Sequence, residues 1–331
     1  MQTVVLKVDS SRPEPDPVRR AADVLRAGGL VAFPTETVYG LGANALSAAA
    51  AARIFKAKGR PSTNPLIVHV ADPSEVLSVA AAWPATARLL AARFWPGPLT
   101  LVVPKRAGVP DVVTAGGDTV AVRCPNHAVA RALIRQAGVP LAAPSANRST
   151  ELSPTRAAHV LKGLNGRIEL LLDGGPCPGG LESTVVDVTG DVPRVLRPGL
   201  IARPMLEAVC GRVEAGATGE GVARAPGHMA KHYSPRTPVV LVDAHERALA
   251  LGAEFARQKL SWGWLALGEH PGEAFAAVPM PLDADEYAAR LYRELHSFDE
   301  RALDRIIVEL PPDAPEWAAV RDRLTRAAAG G

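Results

Sequence analysis

The chain has 331 residues, 47% of them hydrophobic and 21% charged, which suits an ordinary globular protein of two domains rather than one. Aromatics make up only 5%, too few for long base-stacking surfaces, and neither a membrane-length apolar run nor a signal-peptide pattern is visible. The net charge of +3 is unevenly spread: residues 237–331 hold 10 of the 37 Lys and Arg but 16 of the 34 Asp and Glu, leaving 27 against 18 in residues 1–236, so the N-terminal half is expected to bind anions.

Residues 3–8 alternate as a short strand, and Pro13, Pro15 and Pro17 lead into a helix over about 18–27 that Gly28-Gly29 stops. An apolar strand over 30–33 opens into Pro34-Thr35-Glu36-Thr37-Val38-Tyr39-Gly40-Leu41-Gly42, a run of hydroxyls and glycines. A helix over about 47–56 then delivers cations into Lys58-Gly59-Arg60-Pro61 and Asn64-Pro65, and a strand over 66–70 leaves carrying His69. Further helices are expected from Asp72, over 84–94 and over 127–137, with strands over 99–104, 118–123 and 141–143. The last of these runs into Pro144-Ser145-Ala146-Asn147. Ser153-Pro154-Thr155 has the form of a cap with proline at the first helical position, predicting a helix to about 163. Strands over 168–172, 185–188 and 194–197 follow, the first two separated by a Gly- and Pro-rich loop over 173–180. Strands and helices mix without strict alternation, which predicts a twisted mixed α/β sheet.

Over residues 215–236 the periodicity is lost, and Gly, Ala and Pro dominate, as in a linker. Its content is specific for a spacer: Pro226-Gly227-His228-Met229, then Lys231-His232-Tyr233-Ser234-Pro235. Residues 237–331 read β-α-β-α-β-α, a small open parallel sheet of Rossmann-like outline without a Gly-x-Gly-x-x-Gly loop. The expected organisation is therefore 1–214, a linker or lid over 215–236, and a smaller α/β domain over 237–331.

The chemistry concentrates between residues 32 and 70. Lys56 at a helix end serves the helix dipole or a ligand equally well. Lys58 and Arg60, expected in a loop fixed by Gly59 and Pro61, point to phosphate contact. His69 on a strand reads more simply as a core histidine. Thr119 and Arg123 share one strand face, with Arg123 either a carboxylate anchor or a surface ion pair. Ser145 and Asn147 read as positioning groups, since no Gly-x-Ser-x-Gly elbow is present. Ser183-Thr184 after Gly179-Gly180 forms either an anion nest or a plain turn. Neither the Walker pattern nor metal-ligand spacing occurs, and Pro226-Gly227 and Pro235 argue against a helix pairing His228 with His232. The three cysteines, Cys124, Cys177 and Cys210, are dispersed and odd in number, which fits a reducing cytoplasm; Cys177 reads as incidental rather than reactive. The residues alone thus point to an anion-binding α/β enzyme or binding protein, with a nucleotide as the favoured ligand.

Phe33 to Gly42, Lys58-Gly59-Arg60-Pro61 with Asn64-Pro65-Leu66, Pro144-Ser145-Ala146-Asn147 and Glu182-Ser183-Thr184-Val185 together resemble the signature of the YrdC-type threonylcarbamoyl-adenylate synthases. The linker and the Rossmann-like tail resemble the longer, two-domain branch of that family. The resemblance implies that L-threonine, bicarbonate or CO2, and ATP become L-threonylcarbamoyl-AMP and pyrophosphate. A partner transferase complex then uses the product on the adenosine beside the tRNA anticodon. It places threonine against Thr37, His69, Arg123, Ser183 and the Ala143 backbone. ATP falls against Arg60, Asn64, Thr119, Ser145, Ser153, Arg197 and Tyr233, with Lys58 and Arg60 as the catalytic cations and Tyr233 closing a lid. Mg²⁺ is expected to travel with ATP, with no dedicated protein site and no other metal.

Two rivals remain open on sequence. YrdC-like modules of hydrogenase-maturation proteins adenylate a carbamoyl group, but that reading expects acylphosphatase and zinc-finger modules, and neither is in these residues. A double-stranded RNA-binding module is the other, since the net +9 of residues 1–236 permits weak RNA binding without requiring it.

Overall fold

The computed structural model describes residues 2–216, 233–268 and 276–329, which divide into two compact units. The first holds residues 2–149, 154–178 and 182–216; the second holds 150–153, 179–181 and the described residues from 233 onward. Residues 217–232 of the expected lid, with His228 and His232, lie outside the described residues.

In the first unit the strands are β1 (Val4–Lys7), β2 (Val31–Phe33), β3 (Gly40–Asn44), β4 (Ile67–His69), β5 (Leu99–Pro104), β6 (Thr119–Arg123), β7 (Leu141–Ala142), β8 (Leu170–Asp173), β9 (Thr184–Asp187), β10 (Arg194–Arg197) and β11 (Glu214–Ala215). They join, among the described residues, into one sheet of order β1-β8-β2-β3-β7-β4-β6-β5-β9-β10-β11. Its pairings are mixed: β4 runs parallel to β6 but antiparallel to β7, and β5 antiparallel to β6 but parallel to β9. This is the mixed α/β sheet expected from the irregular alternation of elements. Among the described residues three apolar clusters line it, one holding Leu41, Val68, Leu101, Val122 and Ala142, another Phe33, Ala71, Leu133, Leu141 and Ala143, and a smaller one Ile67, Val102, Ala121, Val185 and Leu196. Successive strand residues point to opposite faces, which is why neighbours such as Leu141 and Ala142 fall into different clusters.

Several elements differ from expectation, each for a local reason. Gly40–Asn44, with two glycines, looks like a turn but pairs as a central strand, because its open backbone lies over Phe33 and Val31. The first long helix begins at Pro15, since prolines are tolerated in a helix's first turn. The helix from Asp72 is a 3-10 turn, Pro73–Ser78, capped by the Asp72 side chain on the Ser74 amide. Ser153-Pro154 does not cap a helix: the helix is Ala157–Leu164, and Ser153 belongs to the second unit. Short helices at Asp111–Thr114 and Arg203–Cys210, and strand β11, fall in stretches whose periodicity is too brief to read.

The second unit is a four-stranded, fully parallel sheet of order β12-β15-β13-β14, from β12 (Val239–Val242), β13 (Trp262–Leu267), β14 (Ala276–Met280) and β15 (Arg305–Glu309). Strand β14 is additional to the expected β-α-β-α-β-α. Its own core holds Val242, Phe255, Trp262, Trp264 and Ile307.

Candidate active site

The segment Pro34–Tyr39 crosses from β2 to β3 as a loop tied by its own hydroxyls. Thr35 Oγ1 donates to the Val38 carbonyl (2.7 Å) and stands 2.8 Å from Thr37 Oγ1, while the Tyr39 hydroxyl donates to the Gly175 carbonyl (2.7 Å). Serine and threonine closing a turn on their own backbone is the usual way such a loop is held. It leaves Thr35, Glu36 and Thr37 buried polar residues, facing inward rather than solvated.

Against this loop stands the end of β6. Arg123 Nη1 donates to Thr37 Oγ1 (2.9 Å), its Nε to the Gly97 carbonyl (3.3 Å), and its Nη2 lies 2.7 Å from Glu36 Oε1. That ion pair lacks hydrogen-bond alignment, for neither Glu36 oxygen accepts a hydrogen bond from any described residue. The open alternative for Arg123, a surface ion pair, is therefore replaced by a buried one. Register sets His69 directly opposite Arg123 across the β4–β6 ladder, and Thr100 opposite it across β5–β6. Burial, followed by the Arg123 charge, pushes the His69 imidazole down to about 3, so it is neutral at ordinary pH. Thr100 Oγ1 is 2.8 Å from Ser183 Oγ, and Arg197 Nη2 donates to Ser183 at both carbonyl (2.9 Å) and Oγ (3.1 Å). Thr37, His69, Arg123, Ser183 and Arg197 thus meet through β4, β6, β5, β9 and β10.

A second group of contacts surrounds the end of the cation-bearing helix, Ala48–Lys58, whose N-terminus is capped by Ser47 and whose end turns on Gly59 in the left-handed conformation (φ 64°). Lys58 is its last residue, not a loop residue. It is 1% exposed and its ammonium donates to the carbonyls of Ser145 (2.6 Å) and Asn147. Ser145 Oγ in turn donates to Asn147 Oδ1 (2.5 Å). Arg60, also buried, donates from Nε to the Asn64 carbonyl (3.1 Å) and from Nη2 to the Pro65 carbonyl (3.0 Å). Lys56 is exposed. Ala143, whose amide donates to the Ile67 carbonyl (2.9 Å), links this turn to β4.

Thr119 begins the strand that Arg123 ends, four positions along, on the same face and about 13 Å away at 3.3 Å per residue. The Ser183-Thr184 turn is not an open nest, since the Thr184 amide donates to the Pro98 carbonyl (3.0 Å) as β9 begins. Cys177 is buried and its thiol pushed up to about 12 by desolvation, so it is inert. Among the described residues no group of three or more His, Cys, Asp or Glu could hold a metal, and no helix is long and apolar enough to cross a membrane.

Ser153 and Tyr233 lie in the second unit. There Tyr233 is 2% exposed, its ring under the Arg323 guanidinium (4.9 Å) and tilted against Tyr292 (6.1 Å). Glu36 and Thr100 are given no role at the site by the sequence alone. Their signals were present but faint: a carboxylate inside an otherwise hydroxyl-rich loop, and one threonine inside the apolar run Leu99–Pro104.

Two family models match the chain, "Telomere recombination" over residues 23–199 and "Threonylcarbamoyl-AMP synthase, C-terminal domain" over residues 201–329. Threonylcarbamoyl-AMP synthase of Bacillus subtilis is 44% identical over 322 residues, 95% of this chain and 93% of that one. Its namesake from Pyrococcus abyssi is 42% identical over 334 residues, covering 98% and 97%. The crystal structure of P. abyssi Sua5 complexed with L-threonine is similar with a TM-score of 0.93, at 41% identity over 98% of each chain.

Proposed function

The chain belongs to the threonylcarbamoyl-AMP synthase family in its long, two-domain form, and from that premise we propose that it makes L-threonylcarbamoyl-AMP from L-threonine, bicarbonate or CO2, and ATP. The observation that carries this reading is the buried meeting of Thr37, His69, Arg123 and Ser183, a set with one cation, hydroxyls and a neutral imidazole. It suits a small hydroxy-amino acid: a guanidinium for the carboxylate, and neutral donors and acceptors for the side-chain hydroxyl.

In the proposed reaction the neutral threonine amine adds CO2 and gives up one N–H proton to solvent, leaving a carbamate whose oxygen attacks the α-phosphorus of ATP. The bond from that phosphorus to the bridging oxygen breaks, and pyrophosphate leaves with its electron pair. No proton relay is needed, so the work of the protein is to position the two reactants and stabilise phosphate charge. Arg60, Asn64, Thr119, Ser145 and Arg197 are assigned to the nucleotide, and Ala143 to the backbone between the two ligands. Lys58 is assigned to shaping the Ser145–Asn147 turn, which its ammonium holds from beneath. Mg²⁺ would arrive on the triphosphate and offset its charge through phosphate oxygens.

The product is a mixed anhydride, and its consumer is a transferase that moves the threonylcarbamoyl group onto the adenosine beside a tRNA anticodon. A cytoplasmic setting belongs to the same reading and is supported by three free cysteines. The test is to incubate the protein with ATP, bicarbonate and single amino acids. Threonine-dependent pyrophosphate and the mass of threonylcarbamoyl-adenylate are expected. Equal pyrophosphate with every amino acid, or none with threonine, would overturn the assignment.

A further inference from the structure

Glu36 is a charged group of the site whose chemistry is unanswered by its described neighbours, as is the Arg123 Nη2 beside it. It is 9% exposed, and both carboxylate oxygens are buried without accepting a hydrogen bond from any described residue. An ionised carboxylate accepts about four hydrogen bonds, and a buried one that lacks them is costly. Among the described residues its one close charge is Arg123 Nη2 at 2.7 Å, out of line. The other two Arg123 nitrogens with contacts, Nη1 and Nε, are spent on Thr37 and Gly97. The carboxylate therefore sits, with its acceptor capacity free, beside the guanidinium that Thr37 contacts and that faces His69 across the ladder.

An α-amino acid presents a carboxylate and an ammonium on one carbon. Its complement in a protein is a cation and an anion side by side, the arrangement that Arg123 and Glu36 form. We propose that Glu36 is the acceptor for the α-ammonium of the amino-acid substrate, so that the zwitterion enters by exchanging one internal ion pair for two crossed ones. This rests on the reading of the site as a threonine pocket and adds the group that recognises the amine. It also supplies a basis for choosing an amino acid over a hydroxy acid of the same shape. The neighbouring imidazoles do not compete for that role as anions: His69 is buried and neutral, and the His127 ring accepts from the Val129 amide.

The test compares L-threonine with 2,3-dihydroxybutanoate, which keeps the carboxylate and side chain but replaces the amine with a hydroxyl. Binding is measured by calorimetry on the full chain, wild type and Glu36→Gln, with ATP affinity and melting temperature recorded alongside. Loss of a charge-assisted contact is expected to weaken threonine binding roughly ten- to hundredfold in E36Q, with ATP affinity unchanged. The hydroxy acid should bind wild type worse than threonine by a similar factor and bind E36Q no worse than wild type. A residue that merely holds Arg123 in place would instead weaken both ligands alike, and that outcome overturns the proposal. The wild-type preference alone decides the matter if E36Q fails to fold: equal affinity for the two ligands overturns it. Threonine-dependent pyrophosphate from the wild type separates the outcomes, because its absence sinks the pocket reading itself, whereas its presence with unchanged selectivity in E36Q sinks only the role of Glu36.

Discussion

Arg60 and His69 carry charge consequences that follow directly from their burial. The Arg60 guanidinium braces the loop through the Asn64 and Pro65 carbonyls, so Arg60→Ala should act twice. Loss of a charged phosphate contact is expected to raise the barrier by about 2–4 kcal/mol, and loss of the two loop contacts to lower stability by about 1–3 kcal/mol. Pyrophosphate release and urea denaturation, measured on one preparation, separate the two effects; turnover like wild type would remove Arg60 from the chemistry. For His69 the sign runs from its depressed value. The unfolded chain binds a proton near the ordinary imidazole pKa of about 6.5, whereas the native ring does not until about pH 3. Protons therefore favour the unfolded state, and stability is lost as pH falls below about 6.5, at up to about 1.4 kcal/mol per pH unit from this one ring. His69→Asn should flatten the fall in stability between pH 6.5 and 4 in denaturant titrations, whatever its effect on catalysis. The types of Arg123 and His69 were legible in the sequence as a cation and an imidazole on strand ends. Their pairing was not, because the register between strands 54 positions apart is fixed only by the assembled sheet.

Strand β9 and the turn that follows β10 show how an element can depend on one missing side chain. A Cβ on Gly199 would stand 2.3 Å from the Thr184 amide nitrogen and 2.6 Å from the Glu182 carbonyl, so backbone passes where a side chain would be. Gly199→Ala must push that backbone aside, and Ser183 with it, at a cost of about 1–3 kcal/mol typical of overpacking. A lower melting temperature together with weaker threonine binding is expected, while a variant that keeps full threonine affinity would show that the Ser183 turn tolerates displacement. The Pro198-Gly199 pair was visible as a strand stop, but its close approach to Ser183 was not, since the two are joined only by tertiary packing. Elsewhere, elements with strong periodicity or clear punctuation were readable, as for Thr119–Arg123 and for the helix ending at Gly138. Gly40–Asn44 escaped because glycine weakens every strand propensity and the strand exists through its two neighbours. Ser153-Pro154 misled because the same residues that cap helices also serve in loops.

At the scale of the molecule, the two units have separate apolar cores, the pattern of domains that unfold as distinct cooperative groups. Trp264 is buried in the second core and donates from Nε1 to Glu309 Oε1 (3.0 Å). Trp264→Ala is expected to cost that unit about 3–5 kcal/mol. Segment-resolved hydrogen exchange should show faster opening of β12, β13 and β15 with β4, β6 and β9 unaffected; equal acceleration in both units would mean they open as one. The uneven charge of the chain was plain in the sequence, as was the change of period near residue 215, but the fourth strand of the second sheet was not. All three thiols lie in the first unit, where burial pushes Cys124 up to about 11 and Cys177 to about 12, and Cys210 upward as well. The two buried sulfhydryls, Cys124 and Cys177, therefore stay silent toward alkylating reagents until that half comes apart, and once the half-exposed Cys210 has reacted, the labelling rate of the intact polypeptide becomes a natural stopwatch for the first unit alone.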